Sequence, residues 1–131
     1  MNISKSVQAV QDLEKVAYEY GNQEIEQEHL LYTLLTQEDS LILKLIEKME
    51  INKEYFLNTV KNALDAKVKV SGGELRFGQY LNKALVNAED EAKAMGDEYV
   101  SVEHLFLALL KYPSPSMKKI WSEFGITKER F

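Results

Sequence analysis

The sequence contains the same unit twice. The stretch Gly21-Asn-Gln-Glu-Ile-Glu-Gln-Glu-His-Leu-Leu-Tyr-Thr-Leu-Leu35 returns as Gly96-Asp-Glu-Tyr-Val-Ser-Val-Glu-His-Leu-Phe-Leu-Ala-Leu-Leu110, at an offset of 75 residues (104 − 29). The register holds without a gap from about Ser4/Gln79 to Phe56/Phe131. Identical pairs include Ala9/Ala84, Glu14/Glu89, Ala17/Ala92, Gly21/Gly96, Glu28/Glu103, His29/His104 and Leu30/Leu105. A gapless repeat of this kind predicts two copies of one supersecondary unit, each stacked on its twin. A chain of 131 residues with 45% hydrophobic content has material for one such core.

Within each copy the apolar residues follow a helical period. Val7, Val10, Leu13, Val16, Ala17 and Tyr20 form one face behind an N-cap at Ser4, and Gly21 ends that helix. A connector over 22–26 leads to a second helix, Gln27 to Thr36, which Leu30, Leu31, Leu34 and Leu35 mark as the buried one. Asp39 or Ser40 caps a third helix carrying Leu41, Leu43, Leu45, Ile46 and Met49. Asn52 caps a fourth, with Phe56, Leu57, Val60 and Leu64 on one face. Residues 67–77, with the Gly72-Gly73 pair, break the period and read as a loop rather than as a strand at Val68 to Val70.

The second copy repeats the order. Tyr80, Leu81, Ala84, Leu85, Ala88 and Ala92 line a helix ended by Gly96, and Ser101 caps the next, Val102 to Lys111. Pro113-Ser-Pro-Ser116 sets up a third, Met117 to Phe124, closed by Gly125. Thr127 would cap a fourth that has barely begun at residue 131. The expectation is an all-α domain of two pseudo-twofold-related four-helix repeats: repeat one at 1–66, a linker at 67–77 and repeat two at 78–131. Its last helix would be truncated, as in a piece of a longer protein.

Charge and composition narrow the function. The net charge is −5, and Lys67, Lys69 and Arg76 form the densest basic stretch, so nothing suits a nucleic-acid backbone. Without cysteine there are no disulfides and no thiolate metal ligands, which suits a reducing cytoplasm. No apolar run is long enough for a signal peptide or a membrane span. The Gly72-Gly73 loop lacks the glycine and lysine spacing of a phosphate cradle. Ser4, Ser6, Ser40, Ser101, Ser114 and Ser116 sit at helix starts and turns, outside any nucleophile elbow.

Glu28-His29 and Glu103-His104 are the one catalytic temptation. A zincin helix needs two histidines four apart, whereas here each helix supplies one. Repeat packing would have to bring His29, His104 and both glutamates together for a metal-dependent hydrolase. The simpler expectation is local hydrogen bonding by each histidine, with its glutamate at the positive end of the helix. Binding is then the remaining function. A groove between the stacked repeats would accept an apolar segment, with Ile3, Leu85 and Tyr99 as candidate contacts.

At the duplicated Glu-His-Leu-Leu and Glu-His-Leu-Phe helices the chain resembles the Clp N-terminal repeat domain of the Clp protein unfoldases. The resemblance extends over Gly21 to Leu35, Ser71-Gly72-Gly73, Tyr80 to Leu85 and Gly96 to Leu110, and it is most like the ClpB-type disaggregases. It implies a non-catalytic, cytoplasmic substrate-recognition domain. The parent would be a hexameric AAA+ ATPase, with ATP and Mg bound in rings outside this chain, while the chain alone would be a monomer without cofactor or metal. The implied partners are unfolded or aggregated polypeptides; the alternative is docking of an adaptor protein, as in ClpC-type relatives. By the same resemblance the substrate-binding positions are Leu85, Asp97, Glu103 and His104. His104 stands where the family usually has an apolar residue, and Ile3 where it often has threonine.

Overall fold

In each copy the fold is built around a short, apolar second helix. The computed structural model describes residues 5–129, with the backbone alone at Lys5. The expected Ser4 cap, Ile3 and Phe131 lie outside that range. Repeat one comprises α1 (Lys5–Glu19), α2 (Gln27–Thr36), α3 (Leu41–Lys48) and α4 (Lys53–Asp65). Repeat two comprises α5 (Gln79–Ala94), α6 (Val102–Lys111) and α7 (Pro115–Phe124). The bounds of α2 and α6 coincide at the sequence offset, so the duplication is one of structure as well as of letters.

Helices α2 and α6 sit at the centre. Leu30, Leu31, Leu34 and Leu35 of α2, and Leu105, Phe106, Ala108, Leu109 and Leu110 of α6, belong to one buried cluster. Helix α2 packs on α1, α3 and α4, helix α6 packs on α5, and the two central helices touch each other. An aromatic cluster joins the repeats at the other side. Phe56 of α4 stacks on Trp121 of α7 at 6.2 Å and meets Phe124 edge-on at 4.9 Å, while Phe106 meets Trp121 edge-on at 5.6 Å. The Trp121 Nε1–H donates to Leu109 O at 3.0 Å, so the indole is buried with its polar atom satisfied.

Most caps fall where the sequence places them. Ser40 Oγ accepts from Leu43 N–H, Asn52 Oδ1 from Tyr55 N–H and Ser114 Oγ from Met117 N–H. Asp39 is not the cap of α3; it adopts φ 56° and holds Lys44 at 2.6 Å instead. Two apolar faces are rotated from expectation. Val7 is 48% exposed while Ser6 and Ala9 turn inward, and Leu41 is 42% exposed while Ile42 enters the core.

The connection between the repeats differs most. Val68 to Val70 is loop, as read, but a two-residue strand β2 (Arg76–Phe77) pairs in parallel with β1 (Glu24–Ile25) inside the expected connector. Lys67, at the start of this linker, is largely covered. Its side chain is 15% exposed and lies 2.8 Å from Glu26 and 3.4 Å from Glu28. Lys69 Nζ donates to Tyr20 O at 2.6 Å, and Val70 N–H to Gly21 O at 2.9 Å. The linker is thereby fastened along the first repeat. Among the described residues no helix is long and apolar enough to cross a membrane.

Candidate functional site

The two Glu-His pairs are explained by turn geometry before any chemistry is needed. Helix α1 ends in a left-handed Gly21 at φ 71°, and α5 in Gly96 at φ 74°. Around each, two backbone bonds close the helix: Gly21 N–H to Tyr18 O and Asn22 N–H to Ala17 O, then Gly96 N–H to Lys93 O and Asp97 N–H to Ala92 O. A side chain at either glycine would be strained at that φ. The turn delivers the next residue, Asn22 or Asp97, to the histidine of the following helix. His29 Nε2 is 3.0 Å from Asn22 Oδ1, and His104 Nε2 is 3.0 Å from Asp97 Oδ2.

The other ring nitrogen closes the helix start. His29 Nδ1 accepts from Glu26 N–H at 2.8 Å, and His104 Nδ1 from Ser101 N–H at 2.8 Å. Ser101 Oγ accepts in return from His104 N–H at 3.3 Å, so a reciprocal capping box forms with histidine in the usual place of glutamate. Since Nδ1 accepts a backbone proton, the hydrogen sits on Nε2 and points at the Asx oxygen. Both nitrogens of both rings are thus engaged, and neither has a lone pair to offer a metal. Among the described residues no three His, Cys, Asp or Glu side chains gather where they would hold a metal ion.

His29 is fully buried, and burial, with Lys67 nearby, pushes its pKa from 6.5 down to about 4. The sign follows from linkage. The unfolded chain takes up this proton near pH 6.5 and the folded chain only near pH 4, so the full contribution is present above pH 6.5 and is lost as pH falls through that window. Between pH 7 and pH 5 the loss is about 2 kcal/mol. Urea unfolding at the two pH values, compared with His29→Gln, checks it: the variant should lose that part of the pH dependence.

The glutamates before the histidines have opposite fates. Glu28 is 1% exposed; its Oε2 accepts from Ser116 Oγ at 2.5 Å and lies 3.4 Å from Lys67. Gln27 beside it is fully buried and bridges the repeats. Its Nε2 donates to Tyr80 O at 3.0 Å and to Tyr112 O at 2.9 Å, and its Oε1 accepts from Ser114 N–H at 2.9 Å. At the repeat offset these positions become Val102, Glu103, Gln37, Asp39 and Leu41, and all five line a cleft of about 330 Å³ together with Ser6, Tyr99, Val100 and Ser101. In one half of the molecule a polar network fills this contact; in the other the equivalent positions line the cleft. Tyr99, 80% exposed, and Leu41 give the cleft apolar surface; Glu103 gives it negative charge, while Asp39 there is paired with Lys44.

The expected site residues divide accordingly. Glu103 is exposed and lines the cleft. Asp97 is exposed, whereas its partner His104 is 5% exposed, and the pair fixes the loop that carries Tyr99. Leu85 is half-buried against the core on α5 and does not line the cleft. Leu41, Val100 and Gln27 were missed by sequence reasoning. The signal for Gln27 was its mismatch with Val102, a polar residue at a central position of the first copy alone.

Comparison with known proteins agrees with this architecture. The chain is 36% identical over 96% of its length to the chaperone protein ClpB of Nitratidesulfovibrio vulgaris, of which it spans 15%. The solved N-terminal domain of Hsp104 from Candida albicans superposes with a TM-score of 0.84 at 20% identity, covering 99% of this chain and 86% of that one. A solved complex of a ClpV N-domain with a VipB peptide gives a TM-score of 0.72 at 20% identity, covering 95% and 78%. The family model described as the Clp repeat (R) N-terminal domain matches residues 3–124. With its duplicated unit and its seven described helices, the chain belongs to the Clp repeat N-terminal domain family.

Proposed function

We propose that the chain is the recognition domain of an ATP-driven protein unfoldase or disaggregase of the ClpB type, and that it holds exposed apolar segments of unfolded or aggregated proteins. The observation that carries this reading is the cleft between the repeats, where Tyr99 and Leu41 present apolar surface beside Val100. Glu103 belongs to that surface, Asp97 and His104 hold its loop in place, and Leu85 adds partly covered apolar area on α5. ATP hydrolysis belongs to rings outside this chain, and the domain acts without catalysis, cofactor or metal of its own. A ClpV N-domain of the same fold has been solved with a VipB peptide, which supports peptide capture by such a scaffold.

The expected affinity is low. A segment covering a few hundred Å² gains several kcal/mol at about 25 cal/mol per Å², and ordering and association remove most of it. A dissociation constant on the order of 0.1–1 mM follows, made useful by avidity if the parent is a hexamer. Fluorescence anisotropy of a labelled, reduced and carboxymethylated protein that cannot fold tests this reading. Tyr99→Ser with Leu41→Ser should weaken binding at least about fivefold, since both lost contacts are apolar. Equal binding by this variant overturns the cleft as the site. A second reading, docking of one defined partner segment, is favoured by the ClpV–VipB complex and differs in outcome: a single sequence would bind while unfolded chains are ignored.

A further inference from the structure

In the first copy the loop that enters α2 is tied to the linker almost residue by residue. Lys69 Nζ donates to Tyr20 O at 2.6 Å, Val70 N–H to Gly21 O at 2.9 Å and Asn22 Nδ2 to Val68 O at 3.1 Å. Arg76 N–H then donates to Gln23 O at 3.0 Å, and Gly78 N–H to Ile25 O at 2.8 Å, along the β1–β2 ladder. The first part of this strap is held by polar bonds rather than by burial, since Val68 is 80% exposed. Asn22 joins the strap to His29. Its amide nitrogen holds Val68 O while its amide oxygen lies 3.0 Å from His29 Nε2, so linker and ring share one side chain.

The fully buried ring has no place for a second proton. Its Nε2 hydrogen points at Asn22, and its Nδ1 lone pair is taken by Glu26 N–H at 2.8 Å, so a proton on Nδ1 would set donor against donor. The charges around it give little help. Lys67 and Lys69 from the linker oppose a positive ring; Glu28 of its own helix favours one but is already engaged by Lys67 and Ser116. The carboxylate of Glu26 is likewise held by Lys67 at 2.8 Å. At the matching turn of the second copy the Asx residue is Asp97, whose Oδ2 is 3.0 Å from His104 Nε2. A charged ring there would meet a carboxylate; at His29 it would meet an amide.

We infer that the linker is an acid-released strap: when His29 takes up a proton, the 20–25 loop opens to bring the ring to water, residues 67–77 come away from it, and the second copy keeps its own turn closed. An unpartnered buried charge is too costly to keep, and the ring reaches water only if the loop moves. Release uncovers the fully buried Ile25 and the half-buried Phe77, while the Phe56–Trp121 contact and the Gln27 bridge keep the repeats joined. The device is independent of what the cleft binds. Burial, with Lys67 next, lowers the pKa of His29 from 6.5 to about 4, so the open loop takes up the proton at higher pH than the closed one. Opening is therefore favoured as pH falls through that window, about twentyfold between pH 7 and pH 5.

Amide exchange of the 131-residue chain at pH 7 and pH 5, corrected for intrinsic rates, reads the opening at Val70 and Arg76, the donors to Gly21 O and Gln23 O. Both should open about twentyfold more at pH 5, while Asp97 N–H, bonded to Ala92 O in the matching turn, keeps its opening constant. Low concentrations of urea should leave the two constants unchanged, because release of a short segment exposes little surface. A steep urea dependence means that the whole domain unfolds, and overturns the strap. Asn22→Asp supplies a carboxylate to the charged ring and should remove most of the rise. His29→Gln, which cannot titrate, should remove all of it and serves equally if Asn22→Asp does not fold. No rise in the parent, an equal rise at Asp97, or a rise that survives in His29→Gln overturns the inference.

Discussion

Phe56→Ala is expected to lower the stability of the domain by about 4 kcal/mol, which for a chain of this size is a fall in Tm of roughly 15 °C. The ring is fully buried on α4 of the first repeat, yet its ring contacts are Trp121 and Phe124, both on α7 of the second. Its loss opens a cavity in the seam between the copies rather than within one of them. Trp121 is the only tryptophan, so its fluorescence reports on the second repeat while the substitution sits in the first. The melting curves by fluorescence and by far-UV circular dichroism should shift together. If the fluorescence transition stays in place, the seam does not couple the repeats and the two copies unfold separately.

Gln27→Leu should cost about 3 kcal/mol, although leucine matches the glutamine in size. The substitution removes three hydrogen bonds of a fully buried side chain and leaves Ser114 N–H and the carbonyls of Tyr80 and Tyr112 without Gln27 as partner. Orphaned backbone groups of this kind cost about 1–3 kcal/mol each, and the leucine recovers part of that through apolar burial. Urea unfolding checks the estimate, with the midpoint falling and the slope unchanged. A variant as stable as the parent would mean that the bridge between α2 and the α6–α7 loop is dispensable.

The helices were legible because nearly every one carries its own punctuation. Ser40, Asn52, Ser101 and Ser114 cap helices locally, and Gly21, Gly96 and Gly125 close them with positive φ. What was not legible depends on partners far along the chain. Lys67 looks solvated until Glu26 and Glu28 are brought beside it, and β1 with β2 is a two-residue ladder with no alternation to detect. Leu41 looks like core because the apolar arc of its helix is wide enough to include it, but it lies at the edge of that arc, beside Lys48, and Ile42 and Ile46 point inward instead. The same holds for the site. The duplication drew attention to Glu103 and His104, but it hid the asymmetry that matters, since the copies differ in what covers them.

The Glu-His pairs show how a repeated motif can suggest catalysis and serve folding. Glycine turn, Asx side chain and histidine cap form one local device, used at the start of α2 and again at the start of α6. Its product is a rigid loop. In the first copy that loop is flanked by the linker and β2; in the second it borders the cleft between the repeats.

The central claim, that the cleft holds unfolded polypeptide, is tested most directly by an amide chemical-shift titration with the carboxymethylated, permanently unfolded protein. The predicted result is a saturable set of shifts at Leu41 and from Glu98 to Glu103, with the far side of the molecule around Val68 and Arg76 unmoved. Absence of shifts at millimolar concentrations, or shifts centred on the linker side, would contradict it.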